Sequence, residues 1–180
     1  NAVVVAGAKE SKGKGVLVAM NGSVLGAASV LKMNTVDVQT FQAPNDGALG
    51  YVLNGKVTYN MSSAKKHTTQ SVFDVTNLNS LLKVGIVYSY SNIEADIVAP
   101  MLDNGYKGII HAGVGNGNIH KNIFPILIDA RKKGILVVRS SRVPTGSTSL
   151  DAEVDNAQYQ FIASQQLNPQ KSRVLLMLAL

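Results

Sequence analysis

Cysteine is absent from the 180 residues. Disulfides, zinc–thiolate sites and cysteine nucleophiles are therefore excluded within the chain, and the sequence does not report on redox compartment. Charge is sparse: 16% of residues are charged, against 46% hydrophobic. A packed core is within reach of that composition, and wholesale disorder is not expected. No apolar run is long enough to span a membrane. No charged segment followed by an apolar one opens the chain, so no signal peptide is expected within it. Acidic residues are outnumbered, 11 against 17 basic, for a net charge of +6 and a pI near 9.6. Such a balance invites a nucleic-acid reading, but the basic residues are scattered. Their densest runs, Lys9 to Lys14, Lys65-Lys66-His67 and Arg131-Lys132-Lys133, read as solvated helix ends or loops. With no RNA-binding aromatic motif, zinc finger or helix-turn-helix signature, neither a nucleic acid nor a membrane is an expected partner.

What is present divides into two patterns. Residues 1–13 read as a helix ending near Gly13, with Lys9, Lys12 and Lys14 at its C-terminal dipole. Gly15 to Met20 is a bounded apolar run, hence a buried strand. Short strand-like pieces follow to residue 60, separated by Asn21-Gly22, Asn45-Asp46-Gly47 and Asn54-Gly55, which predict hairpin turns. Residues 61–82 are polar and aperiodic and form the linker candidate. From residue 83, strands and helices alternate. Strands are expected at 84–88, 108–112 and 134–140. Helices are expected at 95–104, from about 122 to 133, and from Pro169, a favoured first-turn residue. That order implies a parallel sheet with right-handed crossovers.

The second strand runs into Gly113-Val114-Gly115-Asn116-Gly117-Asn118. In open α/β sheets ligands bind outside the carboxyl ends of strands, so a site is expected at this turn. A dinucleotide fingerprint fails there: its third glycine would fall at Asn118, and Lys132-Lys133-Gly134 stands where the acidic ribose partner belongs. A purely structural turn is the plain alternative. His67, His111 and His120 lack metal spacing, and His111, inside the strand, is expected to be packed and hydrogen-bonded. Ser140-Ser141 has no G-x-S-x-G surroundings, which argues against a nucleophile. Asp151-Ala152-Glu153-Val154-Asp155 lacks the glycine and ligand count of an EF-hand and reads as a polar loop carrying one or two functional carboxylates.

Several of these segments, in order, resemble bacterial type II L-asparaginases: His111 to Asn118, Val138-Arg139-Ser140-Ser141-Arg142-Val143-Pro144-Thr145-Gly146, Asp151 to Asp155, Leu167-Asn168-Pro169-Gln170-Lys171, and further upstream Gly15 to Asn21, Lys65 to Thr68 and Phe73-Asp74-Val75. The resemblance implies an amidohydrolase that converts L-asparagine to L-aspartate and ammonia, with variable activity on L-glutamine and no metal or cofactor. It implies a homotetramer whose active sites are shared between subunits, and periplasmic or secreted placement. Residue by residue it makes Lys32 the catalytic lysine, Asn118 a support of the neighbouring subunit's substrate site, and Glu153 the carboxylate that reaches the substrate's α-ammonium group. It divides the chain into 1–60, the end of a larger N-terminal α/β domain; 61–82, a linker; and 83–180, a smaller three-layer α/β C-terminal domain with a parallel sheet, incomplete at its end.

Two features depart from the family pattern. The family often carries arginine at the position of Ala28 and threonine at that of Leu31. Its nucleophilic threonine lies in a Gly-Gly-Thr-Ile-Ala turn and its Thr-Asp pair in a His-Gly-Thr-Asp-Thr run, and neither motif occurs in the chain. With both termini apolar and uncapped, the expectation is a piece of a longer protein that lacks the nucleophile. The alternative is a non-catalytic amino-acid-binding or assembly module.

Overall fold

The computed structural model describes residues 1–180, which form two compact units, Asn1–Val72 and Phe73–Leu180.

The first unit is built around an antiparallel sheet. Its strands are β1 (Leu17–Met20), β2 (Ser23–Gly26), β5 (Gly50–Leu53) and β6 (Lys56–Tyr59), in the order β1-β2-β5-β6; β3 (Leu31–Lys32) and β4 (Phe41–Gln42) pair as a separate ribbon. Asn21-Gly22 joins β1 to β2 and Asn54-Gly55 joins β5 to β6. All four turn residues have φ between 47° and 78°, the left-handed pair that matches strand twist in a two-residue hairpin. Asn45-Asp46-Gly47 does something else. The Gly47 amide donates to the Ala43 carbonyl at 2.7 Å, and the flanking strands β4 and β5 lie in different sheets, so the expected hairpin is not there. The expected helix over 1–13 is also shorter. Helix α1 covers Ala2–Gly7; Ala8 is extended and a 3-10 turn follows at Lys9–Ser11. Three successive valines and a glycine give this segment little intrinsic helicity, and only Val5 is buried, against Val24 and Val52. Lys9, Lys12 and Lys14 therefore lie beyond the helix. Residues 61–82 contain no regular structure beyond a 3-10 turn at Thr68–Gln70.

The second unit is a parallel sheet between two helical layers. Strands β7 (Val84–Tyr88), β8 (Gly108–Gly113), β9 (Leu136–Ser141) and β10 (Ile162–Ala163) run in the order β10-β9-β8-β7, and every pairing is parallel. The helices are α2 (Ala99–Asp103), α3 (Phe124–Lys132), α4 (Asn156–Tyr159) and α5 (Pro169–Ala179). Alternation along the strands serves both faces. Val87, Ile109 and Val137 pack with Ile123, Leu127 and Ala130 on one side. Val84, Ile110 and Val138 pack with Leu176 of α5 on the other. At Gly108 a Cβ would stand 2.5 Å from the Leu176 Cδ2, so the missing side chain is what lets α5 settle on the sheet. Asn168 caps α5, its Oδ1 accepting from the Lys171 amide at 2.9 Å, with Pro169 in the first turn. The helix expected over 95–104 is split into a 3-10 turn at Ala95–Ile97 and α2, because Pro100 has no amide to donate back into the preceding turn. Strand β10 and helix α4 were not foreseen; they are two and four residues long in a polar stretch. No helix is long and apolar enough to cross a membrane.

Candidate functional site

Strand β8 ends in a turn that folds back on itself. Val114 and Asn118 form an isolated antiparallel bridge, and the Asn118 amide donates to the Val114 carbonyl at 3.0 Å. Backbone is so close that a Cβ at Gly113 would meet the Asn118 carbonyl oxygen at 2.5 Å. Gly117 has φ +75°, and a Cβ there would meet the Thr148 Cγ2 at 2.9 Å. Helix α3 begins only at Phe124, so the turn does not present its amides from a helix N-terminus as a phosphate loop does.

The two asparagines of this turn have different employment. Asn116 is committed: its Oδ1 accepts from the Ser149 amide at 2.7 Å and its Nδ2 donates to the Ser149 Oγ at 2.8 Å. Asn118 is half-buried, and its Oδ1 is shielded from solvent with no partner. A buried acceptor left unpaired is costly unless something outside the chain supplies the donor.

Beneath the turn lie two buried residues that share one line of the sheet register, His111 of β8 and Arg139 of β9. The guanidinium donates from Nη1 to the Asn156 Oδ1 at 3.2 Å. From Nη2 it donates to the carbonyls of Asn116, at 3.3 Å, and Ser149, at 3.1 Å. Burial pushes its pKa down, and the nearby charges of Asp151 and Glu153 push it back up. His111 departs from expectation. It is fully buried, yet neither ring nitrogen has a hydrogen-bond partner. Burial, reinforced by the Arg139 charge, brings its pKa down to about 4, so the ring is neutral near pH 7.

The acidic run lies in the loop after β9, and its three carboxylates divide the labour. Asp151 accepts from the Asn156 amide at 2.8 Å and Asp155 from the Gln158 amide at 2.8 Å, capping α4. Glu153 is exposed between them and makes no hydrogen bond within the chain. The following residue, Val154, is buried in the core and anchors the turn. No group of three or more His, Cys, Asp or Glu converges to hold a metal.

Of the residues singled out from sequence, Asn118 and Glu153 lie on neighbouring loops at the carboxyl edge of the parallel sheet. Lys32 belongs to the first unit. It stands on β3 opposite Phe41, and it is exposed. The preceding Gly26-Ala27-Ala28-Ser29 is a tight turn, in which the amides of Ser29 and Val30 both donate to the Gly26 carbonyl and the Ser29 hydroxyl donates to Asp46. Ser140 and Ser141 are structural: their hydroxyls donate to the carbonyls of Leu167, at 3.0 Å, and Gly115, at 2.6 Å. Sequence reasoning passed over Ser149 and Asn156, and gave Asn116 and Arg139 no part in a shared network. The usable signal was Arg139 itself, a permanently charged residue in the middle of an apolar strand, which must find acceptors where it lies.

Residues 83–180 match the family described as Glutaminase/Asparaginase C-terminal domain, and residues 1–65 that described as Asparaginase, N-terminal. Over all 180 residues the chain is 56% identical to L-asparaginase 2 of Escherichia coli (strain K12), covering 52% of that protein. It is equally 56% identical to a Haemophilus influenzae protein whose name reads "Probable L-asparaginase periplasmic", again covering 52%. It is 41% identical to a glutaminase-asparaginase of Pseudomonas fluorescens biotype A, covering 50%. The chain thus spans about half the length of the curated relatives it matches. A parallel-sheet edge with these loops, and matches that together take in both named domains, place the chain in the asparaginase–glutaminase family, in its bacterial type II branch.

Proposed function

We propose that this chain is part of a longer polypeptide that hydrolyses L-asparagine to L-aspartate and ammonia, with L-glutamine as a secondary substrate. The observation that carries the reading is the pair of uncommitted groups at the sheet edge, the Asn118 Oδ1 and the Glu153 carboxylate. Asn116, Ser141, Asp151, Asp155 and Asn156 around them are spent on the fold. A free α-amino acid offers an ammonium group that an exposed carboxylate recognises by a charge-assisted contact, and the Asn118 amide lies on the neighbouring loop.

In this reading residues 1–60 end the N-terminal domain, 61–82 link, and 83–180 form the C-terminal domain. A threonine hydroxyl outside the chain attacks the substrate's side-chain amide carbon, and ammonia leaves after taking a proton. Water then removes the acyl group, or attacks directly. Lys32, brought beside a carboxylate and that threonine by the rest of the N-terminal domain, relays the proton. Donors preorganised at the amide oxygen stabilise the developing oxyanion. No step requires a metal or cofactor. Asn118 and Glu153 serve a neighbouring subunit's site in a homotetramer, and exposed Val114 and Leu150 on the same two loops suit burial against that neighbour. The name of the Haemophilus influenzae relative supports periplasmic or secreted placement.

The absence of both threonine motifs from the chain favours one other reading, a non-catalytic amino-acid-binding or assembly module. The two part on intact mass and ammonia release. A cellular product well above 19.1 kDa that releases ammonia from L-asparagine supports the hydrolase. A product of 19.1 kDa without that activity supports the module.

A further inference from the structure

Asn118 and Glu153 come from separate loops, one after β8 and one after β9. Recognition of one amino acid by both requires their spacing to be held within about half an ångström, and loops do not hold such a spacing unaided. We propose that Asn116, Arg139 and Asn156 are positioning residues that lock these two loops together and thereby set the distance between Asn118 and Glu153. The inference rests on the substrate-binding role given to those two residues above.

The lock can be followed bond by bond. On the outside, Asn116 spends both atoms of its amide on Ser149, which ties the glycine turn to the start of the acidic loop. On the inside, one Arg139 nitrogen donates to the carbonyls of Asn116 and Ser149 together, so the guanidinium bridges the same two loops from below. Its other terminal nitrogen donates to the Asn156 Oδ1. Asn156 closes the acidic loop: its Oδ1 also accepts from the Asp151 amide at 3.1 Å, its own amide donates to Asp151, and its Nδ2 donates to the Phe161 carbonyl at 2.8 Å. Glu153 is thereby held between two fixed points, Ser149 and Asn156, while Asn118 sits two residues from Asn116. The planar fork of arginine addresses three acceptors at fixed angles, which the point charge of lysine does not reproduce. Both amide atoms of Asn116 are engaged by Ser149, so in this inference it acts on substrate through Asn118 and Glu153.

The test uses the full-length polypeptide and steady-state hydrolysis of L-asparagine. Asn116→Ala removes both bonds to Ser149, and Ser149→Ala removes only the hydroxyl's. A rise in KM of about tenfold is expected for Asn116→Ala and a smaller rise for Ser149→Ala, with kcat within about twofold and melting temperature within a few degrees, since coupling between neighbours in one network is of that order. A structural role alone does not move the decisive readout. The double variant Asn116→Ala/Glu153→Ala should have the KM of Glu153→Ala alone, because with one of the two groups gone no spacing between them is left to set. Additive KM effects, or an unchanged KM in folded Asn116→Ala, overturn the inference. If Asn116→Ala does not fold, Ser149→Ala and its double variant with Glu153→Ala decide by the same criterion. A full-length wild type that releases no ammonia overturns the functional reading and the inference with it; an active wild type with unaffected variants overturns the inference alone.

Discussion

At the scale of single residues, His111 and Arg139 show how much polarity the sheet carries on its own account. A buried guanidinium is tolerated because its terminal nitrogens reach three acceptors, whereas the neighbouring imidazole has none. The consequence is a pH dependence with a definite sign. His111 has a folded pKa of about 4, below the ordinary 6.5, so the unfolded chain binds the extra proton between those values. Its contribution to stability is complete above pH 6.5, declines as pH falls through that window, and is lost by about pH 4. The gap corresponds to about 3 kcal/mol. Urea midpoints measured at pH 7 and pH 4.5 should separate accordingly, and His111→Leu should narrow the separation; an equal separation in both proteins contradicts the assignment. Glu153 supplies the second residue-scale prediction. If it holds the substrate's ammonium group, Glu153→Ala in the whole polypeptide weakens L-asparagine binding by about 2–5 kcal/mol, the range for losing one partner of a buried charge contact. Titration calorimetry with the product L-aspartate, which carries the same α-ammonium group and is not hydrolysed, reads the change, and unchanged affinity refutes the role.

At the scale of elements, the fold depends on a few backbone requirements that only particular residues meet. Gly117 is one: φ +75° and the crowding by Thr148 mean that Gly117→Ala adds about 1–2 kcal/mol of left-handed strain before any clash is relieved. A melting temperature equal to wild type would show that the turn does not need glycine. Asn168 is another, since its capping bond to Lys171 starts α5 on the back of the sheet. Asn168→Ala should cost about 1 kcal/mol, visible as a lower denaturant midpoint with an unchanged slope. These elements also show what sequence can reveal. Strands β7, β8 and β9 were legible because each is a bounded apolar run, and α5 because Asn168-Pro169 is a start signal written in two residues. Strand β10 was not, because two residues carry no period, and its place beside β9 is fixed by long-range pairing with Val138 and Arg139. The break in α1 was hidden by an apolar pattern that suits a longer helix than its valines and Gly7 sustain. At the candidate site, the glycine turn and the acidic run stand out in the sequence, while the roles given to Asn118 and Glu153 come from the family resemblance. The Arg139 network escaped because its partners are backbone carbonyls and an asparagine far along the chain, and sequence spacing says nothing about which acceptors a buried guanidinium will find.

At the scale of the whole molecule, the chain supplies an α/β unit with the unpaired Asn118 Oδ1 and Glu153 carboxylate at its edge, and a β-rich unit carrying Lys32 on a short ribbon. Neither threonine motif of the family is in the chain, and the chain spans about half the length of its relatives. In the proposed reading catalysis belongs to a larger polypeptide, in which this part is a wall that binds the amino-acid end of the substrate. The most direct measurement is ammonia release from L-asparagine by the full-length polypeptide, wild type beside Glu153→Ala, across a range of substrate concentrations. Release by the wild type and a greatly raised KM in the variant are expected. No release by the wild type, or superimposable curves for the two proteins, would contradict the proposed reading.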